Sequence, residues 1–360
     1  MARRIFIVLL ALVATAVVAA PAGAVGRFGP AATVVDFGCW TRDWSAAAAL
    51  GGDGIVRGWA QGTGPACLDE RIWFFGGQGT RWTRVRSPYR GRILDAAYDG
   101  TGTYLLYLAA DGIRVTKRTA GGVFTPGRRL SASTFEFATG AVLATGGSWW
   151  AVWTEPAGGG NLTSLFQAKT YGTDQARQRI TATGDDDDPE LALRPGGGAV
   201  LAWCRGGPAP APPDTRSLRV ATSTDGAWAS RAFALTSSRR HDLFTGPTHT
   251  YLAWEHDSRV TVADNTSGSF RRHTFATPGG YPSVAASGGK LFVTWSVLVN
   301  GRDHARVAER NRGSWTGVTL GRSTDEHEFA WEVTAFDGKA TVHLRGARGA
   351  VDVLLARAQQ

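Results

Sequence analysis

The chain has 360 residues and a formal net charge of +9, with 43% hydrophobic and 19% charged residues. The basic excess is almost entirely arginine, with four lysines, and no run of five or more basic residues occurs, so nucleic acid is not an expected partner. After residue 24 no apolar run reaches the ~18 residues that a membrane-spanning helix requires, so membrane insertion is not expected either.

Residues 1–24 predict a secretory signal peptide. Arg3 and Arg4 precede an apolar stretch from Ile5 to Ala20, and small residues lead to a cleavage site after Ala24. Sec export is the favoured route, and "RRIFI" leaves twin-arginine export as the alternative. The sequence thus predicts a secreted, monomeric protein in which residues 25–360 form a single domain.

The cysteine pattern fits an oxidising compartment. Cys39 and Cys67 are near enough in sequence to form a disulfide within one structural unit, which would leave Cys204 as a buried thiol. Three unpaired thiols are the alternative.

A repeat governs the remainder of the chain. Stretches such as "GGSWWAVWTE" (146–155), "GGGAVLAWCR" (196–205) and "GGKLFVTWSV" (288–297) each combine a turn with an apolar strand that ends in Trp. The terminal residues of the seven copies are spaced 48, 46, 50, 51, 41 and 48 residues apart: Trp59, Tyr107, Trp153, Trp203, Trp254, Trp295 and His343. A period of about 47 residues with β-prone composition is typical of a β-propeller.

Each repeat predicts a four-stranded blade with strands A to D. The last repeat ends after strand C, and the segment "GPAATVVDFG" (29–38) can supply its missing strand D. Such closure removes an exposed sheet edge. The predicted fold is therefore an all-β, seven-bladed propeller closed by the N-terminal strand of the mature chain, with the aromatic residues as core.

The predicted C–D turns resemble degenerate Asp-boxes. The turn "STDGAWAS" (223–230) is similar to the S-x-D-x-G-x-x-W turn of the sialidase-like propeller superfamily, although its Asp225–Gly226–Trp228 spacing is shorter. In that superfamily the Asp-box is a structural turn far from the catalytic face. Sialidases use arginines that clamp a carboxylate and a Tyr–Glu nucleophile pair, and Tyr281 in "GYPSVA" stands near the position of that Tyr. The Arg-Ile-Pro motif of sialidases is absent.

Acidic residues recur where strand A begins, on the face that carries the D–A and B–C loops. The fourth blade adds the run Asp185–Asp188, and the sixth blade carries Tyr281 instead of an acid. We expect these side chains to surround the mouth of the central funnel and bind a ligand: Asp43, Asp95, Glu136, Asp188, Glu190, Asp242, Tyr281 and Glu328. Clustered carboxylates raise one another's pKa unless a cation or ligand hydroxyls offset the repulsion.

The pattern therefore favours a secreted propeller that binds a carbohydrate or another cell-surface ligand at an acidic funnel. Glycoside hydrolysis by paired carboxylates and a protein-interaction scaffold are the alternatives. No cofactor is required, and a divalent cation such as Ca²⁺ in the channel is a further expectation. The aspartate run lacks the spacing of an EF-hand calcium loop.

Overall fold

A computed structural model describes residues 27–360 apart from 29–30, 38–42, 64–70, 158–161, 173, 183, 195, 207–215, 237–239, 266–270, 321–327 and 349–350. For residues 43–44, 63, 235, 328–329, 347–348 and 351–355 only the backbone is described. Throughout these described residues the regular structure is β-strand. None of them forms a helix long and apolar enough to cross a membrane.

The first strand and the first three blades occupy the N-terminal half. Strand β1 (Ala32–Asp36) comes first in the chain and belongs to blade 7. Blade 1 consists of β2 (Asp43–Leu50), β3 (Val56–Thr63), β4 (Arg71–Gln78) and β5 (Arg81–Arg90), and blade 2 of β6 (Arg92–Tyr98), β7 (Gly102–Ala109), β8 (Gly112–Thr119) and β9 (Arg128–Ser131). Blade 3 consists of β10 (Gly140–Thr145), β11 (Ser148–Pro156), β12 (Thr163–Lys169) and β13 (Gln175–Arg179).

Blades 4 to 7 follow in the same order. Their strands are β14 (Asp185–Leu193), β15 (Ala199–Gly206), β16 (Arg216–Ser223) and β17 (Ala229–Thr236), then β18 (His241–Thr245), β19 (Thr250–His256), β20 (Arg259–Asp264) and β21 (Arg271–Pro278), then β22 (Gly280–Ser287), β23 (Lys290–Val299), β24 (Arg302–Asn311) and β25 (Ser314–Thr319), and finally β26 (Glu328–Phe336), β27 (Lys339–Arg348) and β28 (Val351–Ala358).

The sheets confirm the predicted seven-bladed propeller. Each blade is a four-stranded antiparallel meander, and the seven innermost strands contact one another in sequence around a closed ring. In blade 7, β1 pairs with β28 in the register Ala32↔Ala356 to Asp36↔Val353, which confirms that the N-terminal strand closes the ring. Val34 and Val35 bury their side chains against blade 1.

The hydrophobic core lies between adjacent blades. The terminal aromatic residues of the repeat are buried, as predicted, and Trp153, Trp203, Trp254 and Trp295 each pack in a cluster shared with the preceding blade. Blade 1 differs because Trp59 packs against blade 2 and donates its indole N–H to the carbonyl of Tyr104 at 3.1 Å.

Two predictions lie outside the described residues. These are the signal peptide (1–24) and the disulfide between Cys39 and Cys67. Cys204 is described and is a buried thiol, with its Sγ 3.5 Å from Nδ1 of His241.

Candidate functional site

Four carboxyl groups from the innermost strands surround the central channel. They come from blades 2, 4, 5 and 7 and belong to Asp95, Glu190, Asp242 and Glu332. Each keeps part of its side chain exposed to the channel, and the charges of the group act on one another across it. Asp95, Glu190 and Asp242 were among the predicted site residues, and Glu332 was not.

Local irregularities precede three of these four side chains, whereas the ladder around Asp242 is regular. The ladder register shifts just before Asp95 in β6, before Glu190 in β14 and before Glu332 in β26. A β-bulge places an extra residue in one strand and turns the following side chains toward a new direction. The bulge in β14 contains Asp188, whose φ of 54° is left-handed, followed by Pro189.

Three of the four acids bond to the backbone of the next blade. Asp95 Oδ2 accepts the N–H of Val142 at 2.6 Å, and Asp242 Oδ2 accepts the N–H of Val284 at 2.6 Å. Glu332 Oε2 accepts the N–H of Ala48 at 3.2 Å. A carboxylate on a backbone N–H is a charge-assisted bond, so these contacts tie blade 2 to 3, blade 5 to 6 and blade 7 to 1.

Hydroxyl groups make the equivalent link at three further junctions. Ser45 Oγ accepts the N–H of Ile93, and Ser283 Oγ accepts the N–H of Val333. Thr139 Oγ1 accepts the N–H of Asp188 at 2.9 Å and donates to Asp187 Oδ1. Six of the seven junctions between innermost strands are thus bridged from side chain to backbone.

The exception is the junction of blades 4 and 5, where Glu190 lies. Among the described residues, Glu190 forms no hydrogen bond to blade 5, and the charges with the largest effect on its pKa are those of the Asp242 and Asp95 carboxyl groups. Burial raises the pKa of Glu190 well above its ordinary value, and repulsion from these two acids raises it further.

The other three channel acids share this upward shift. Burial raises the pKa of Asp95 to about 7 despite the bond from Val142. It also raises the pKa of Glu332 well above the usual range, with added repulsion from Asp242 and Asp95. Burial raises the pKa of Asp242, and the bonds from Ser283 and Val284 partly oppose the shift. Burial thus disfavours the charged form of all four carboxyl groups.

A second cluster, formed by Arg240, Tyr281 and Glu255, lies on the face that carries the D–A and B–C loops, where β18 and β22 begin. Arg240 donates a hydrogen bond to the Tyr281 hydroxyl and lies over its ring, and its Nη1 is 3.6 Å from Glu255 Oε2. Tyr281 has a φ of 57° and is 37% exposed. A bulky residue in the left-handed region is strained, and such strain concentrates at functional sites. A Cβ at Gly280 would lie 2.6 Å from Glu255 Oε2, so a larger residue there would displace the Glu255 side chain.

The aspartate run divides into separate roles. Asp186 is fully buried and accepts two hydrogen bonds from Arg205, at 2.6 and 2.7 Å, and one from the Trp203 indole. Asp187 accepts the Thr139 hydroxyl, and Asp188 is half-buried in the bulge beside Glu190. The extra charge of blade 4 is therefore largely structural, and Asp188 is the member that acts on Glu190 by repulsion.

The remaining predicted residues lie elsewhere. Glu136 is exposed in the turn before β10, and only its backbone carbonyl is bonded, by Arg92 at 2.7 Å. Asp43 begins β2 and Glu328 begins β26, and their side chains are outside the description. Blade 7 instead supplies Glu332, which the sequence prediction missed.

A different reference point in the sequence would have found Glu332. The channel acids lie four to six residues before the glycine of the A–B turn, at Gly100, Gly196, Gly246 and Gly338. The prediction counted forward from the start of strand A, where loop lengths vary, and so selected Glu328.

Within the described part of the chain, no three or more His, Cys, Asp or Glu side chains are arranged to hold a metal ion. The four channel acids act on one another through charge, without forming such a cluster.

Comparisons with known proteins bear on the fold. No protein-family model matches the chain, and no curated protein matches it in sequence. Among solved structures, the polysaccharide lyase Uly1 superposes with a TM-score of 0.56 at 11% identity, over 87% of this chain and 89% of that one. A mutant of the α-L-arabinofuranosidase from Fusarium graminearum, in complex with an iminosugar inhibitor, gives 0.50 at 11% identity over 92% and 98%.

A prolyl endopeptidase structure also matches, with a TM-score of 0.54 at 13% identity over 90% of this chain. The match spans 47% of that protein, so this chain corresponds to about half of its length. At these identities the likenesses establish the propeller fold alone. The fold is shared by proteins named for action on carbohydrates and on peptides, and it is compatible with carbohydrate binding or glycoside hydrolysis.

Proposed function

We propose that this propeller is a secreted protein that binds a carbohydrate in the sector of the channel mouth between blades 4 and 5. The observation that carries the proposal is Glu190. It lies at the one junction of innermost strands where the described residues form no side-chain-to-backbone bridge, and its carboxyl group faces the channel without a hydrogen bond. A ligand hydroxyl would supply the missing partner.

The surrounding chemistry suits a polyhydroxylated ligand. A partly protonated set of carboxyl groups offers donors and acceptors together, and each sugar hydroxyl can use both. On the same face, the Tyr281 ring, held by Arg240, offers an apolar surface beside polar groups. Ligand sites commonly combine such a surface with a few convergent polar groups.

A glycan array probed with residues 25–360 tests this proposal. We expect selective binding that falls at least tenfold in Glu190→Gln, since the amide nitrogen of Gln can only donate a hydrogen bond, whereas both oxygens of a carboxyl group can accept one. Asp337→Asn is the matched control because Asp337 is exposed in the A–B turn of blade 7, on the opposite face, and has a φ of 49° that Asn tolerates. Equal binding by the wild type and Glu190→Gln would contradict the proposal.

Glycoside hydrolysis is the second candidate, and the raised pKa of Glu190 favours it. A carboxyl group that stays protonated near neutral pH can act as a general acid, while a second carboxyl group acts as base or nucleophile. Turnover of fluorogenic glycosides that disappears in Glu190→Gln, while glycan binding persists, would establish an enzyme. Binding without turnover in the wild type would favour a lectin-like role.

Two further proposals concern the channel and the family. A Ca²⁺ ion could offset the repulsion among the channel acids, and adding CaCl₂ or EDTA to the binding assay would reveal it as a change in affinity.

Membership of the sialidase-like superfamily remains a proposal supported by the turn at 223–230. That turn is closed by bonds from the Gly226 N–H to Ser223 Oγ and from the Ala227 N–H to Asp225 Oδ1. Loss of all glycan signals would instead favour the scaffold alternative.

A further inference from the structure

Two cavities lie on the opposite face of the propeller, on either side of the A–B turn of blade 5. The first has a volume of about 520 Å³ and lies between blades 4 and 5. The second has a volume of about 550 Å³ and lies between blades 5 and 6. Thr248, at the tip of the turn, lines both cavities, and we call the two cavities together the groove across blade 5.

The groove is strongly basic. Its lining includes one carboxylate, Asp264, and six cationic side chains: Arg194, Arg231, Arg271, Lys290, Arg310 and Arg312. Asp264 is 3% exposed and pairs with Arg310. Lys290 Nζ is 2.9 Å from Oε1 of Glu309, a buried acid behind the groove. Two of the six cations are thus neutralised by acids from beneath.

All four remaining cations are exposed arginines. Arg194, Arg271 and Arg312 form no salt bridge with any carboxylate among the described residues. They enter the groove from blades 4, 5 and 6, so positive charge is spread along its length. Guanidinium groups bind carboxylate and sulfate through paired hydrogen bonds.

The groove also fits a ligand with hydroxyl groups. Asn265 Oδ1 is buried in its lining and has no hydrogen-bond partner among the described residues, so a ligand hydroxyl would satisfy it. Tyr251 and His249 stack on each other with ring centroids 5.9 Å apart. Single-stranded nucleic acids are bound by a series of aromatic side chains under successive bases, whereas the groove lining offers this one aromatic stack.

A third cavity provides an internal comparison. It lies between blades 7 and 1 on the same face, and its charged lining is Arg81, Lys339 and Asp337. This cavity has two cations against one acid, and the cavity between blades 2 and 3 is lined by Lys117 and Arg128. The groove across blade 5 thus has the largest number of cationic side chains of these cavities.

We propose that this groove binds an acidic polysaccharide, a sugar chain whose uronate carboxylates pair with Arg194, Arg271 and Arg312. The site is separate from the proposed carbohydrate site at the channel mouth, because the two lie on opposite faces. Binding here would hold the protein on an anionic glycan while the channel mouth stays open.

The experiment compares polygalacturonate with its methyl ester, which has the same sugar backbone without the charge. We expect residues 25–360 to bind polygalacturonate with an affinity that falls as salt increases, and to bind the methyl ester at least tenfold more weakly. The triple variant Arg194→Gln, Arg271→Gln, Arg312→Gln should lose at least tenfold in affinity for polygalacturonate. Alginate and hyaluronan extend the panel to other uronates.

The matched control is the triple variant Arg81→Gln, Arg90→Gln, Arg129→Gln, which removes the same charge from exposed positions on blades 1 and 2. We expect it to bind like the wild type. Equal losses in both triple variants would show attraction by net charge alone and overturn the site. Equal affinity for single-stranded DNA, equal affinity for the methyl ester, or no binding to any of the uronates would also overturn it. Glycan-array binding through Glu190 should be unchanged in the groove variant, so the two proposals fail separately.

Discussion

At the scale of single residues, the channel acids link folding to pH. Their pKa values are raised in the folded protein above those of the unfolded chain, with Asp95 at about 7 against 3.8. Between these values the folded state binds more protons than the unfolded state, so stability decreases as pH rises. The contribution is fully present below the unfolded pKa and is lost as pH passes through the folded pKa.

We therefore expect the protein to be more stable at pH 5 than at pH 8, by urea unfolding at matched ionic strength. One pKa unit corresponds to about 1.4 kcal/mol, so even part of the shift is measurable. Glu332→Gln should flatten this dependence because it removes a charge that forms at high pH, whereas Asp337→Asn should preserve it. A protein whose stability rose steadily from pH 5 to pH 8 would contradict the assignment.

Gln167 shows how a single buried amide joins two blades. It is 1% exposed, and its Oε1 accepts the indole N–H groups of Trp150 at 3.0 Å and Trp228 at 2.9 Å. Its Nε2 donates to Gly226 O and to Gln178 Oε1, each at 2.9 Å. Because Trp228 and Gly226 belong to the Asp-box-like turn of blade 4, this amide attaches that turn to blade 3.

Gln167→Leu should lower the free energy of unfolding by about 2–4 kcal/mol, because it leaves buried donors and an acceptor without partners. Gln178→Leu removes one partner from an exposed side chain and should cost less than about 1 kcal/mol. Urea denaturation of the two variants measures the difference. Similar losses in both would mean that the amide network is not what holds the turn.

At the scale of elements, the closing strand β1 is the vulnerable point of the ring. It is five residues long, and Val35 is fully buried against Val56, Ala60 and Phe75 of blade 1. Without β1, strand β28 would present an open edge to other chains. Ring closure therefore depends on a short apolar segment far in sequence from its partner.

Val35→Asp should destabilise the protein by about 4 kcal/mol or more, because it places an unpaired charge in a closed apolar contact. Asp36→Asn, at the exposed end of the same strand, should change stability by less than about 0.5 kcal/mol. Thermal unfolding together with light scattering would detect both lost stability and edge-to-edge association. Unchanged unfolding of Val35→Asp would show that closure does not limit stability.

The elements also explain which parts of the site were predictable. The period of the aromatic residues specified the blades and the closure, since each repeat has the same alternation. The bulges in β6, β14 and β26 are not visible as a period, because one extra residue reverses which side chains face inward. Asp95, Glu190 and Asp242 were nevertheless part of the prediction, whereas Glu332 was not, because the prediction counted from the start of strand A.

At the scale of the whole molecule, acidic and basic groups occupy different zones. Six of the seven outermost strands, β5, β9, β13, β17, β21 and β25, contain eleven arginines and no acidic residue, and the seventh, β1, contains Asp36 alone, whereas the innermost strands supply the channel acids. Net charge predicted a basic protein, but it could not show this separation, because composition carries no radial information. An anionic ligand would be attracted to the arginines of the perimeter or of the basic groove, and a neutral sugar would not be repelled by the acids of the channel.

The number of blades has a consequence for symmetry. Three acids each accept a backbone N–H of the following blade, from Val142, Val284 and Ala48. These links join blades 2 and 3, blades 5 and 6, and blades 7 and 1, so each of six blades takes part in one of them. Pairs of blades linked in this way cannot cover an odd-numbered ring, and blade 4 is the one left over. Its acid, Glu190, is accordingly the channel acid whose pKa is shifted by neighbouring charges without an opposing hydrogen bond among the described residues.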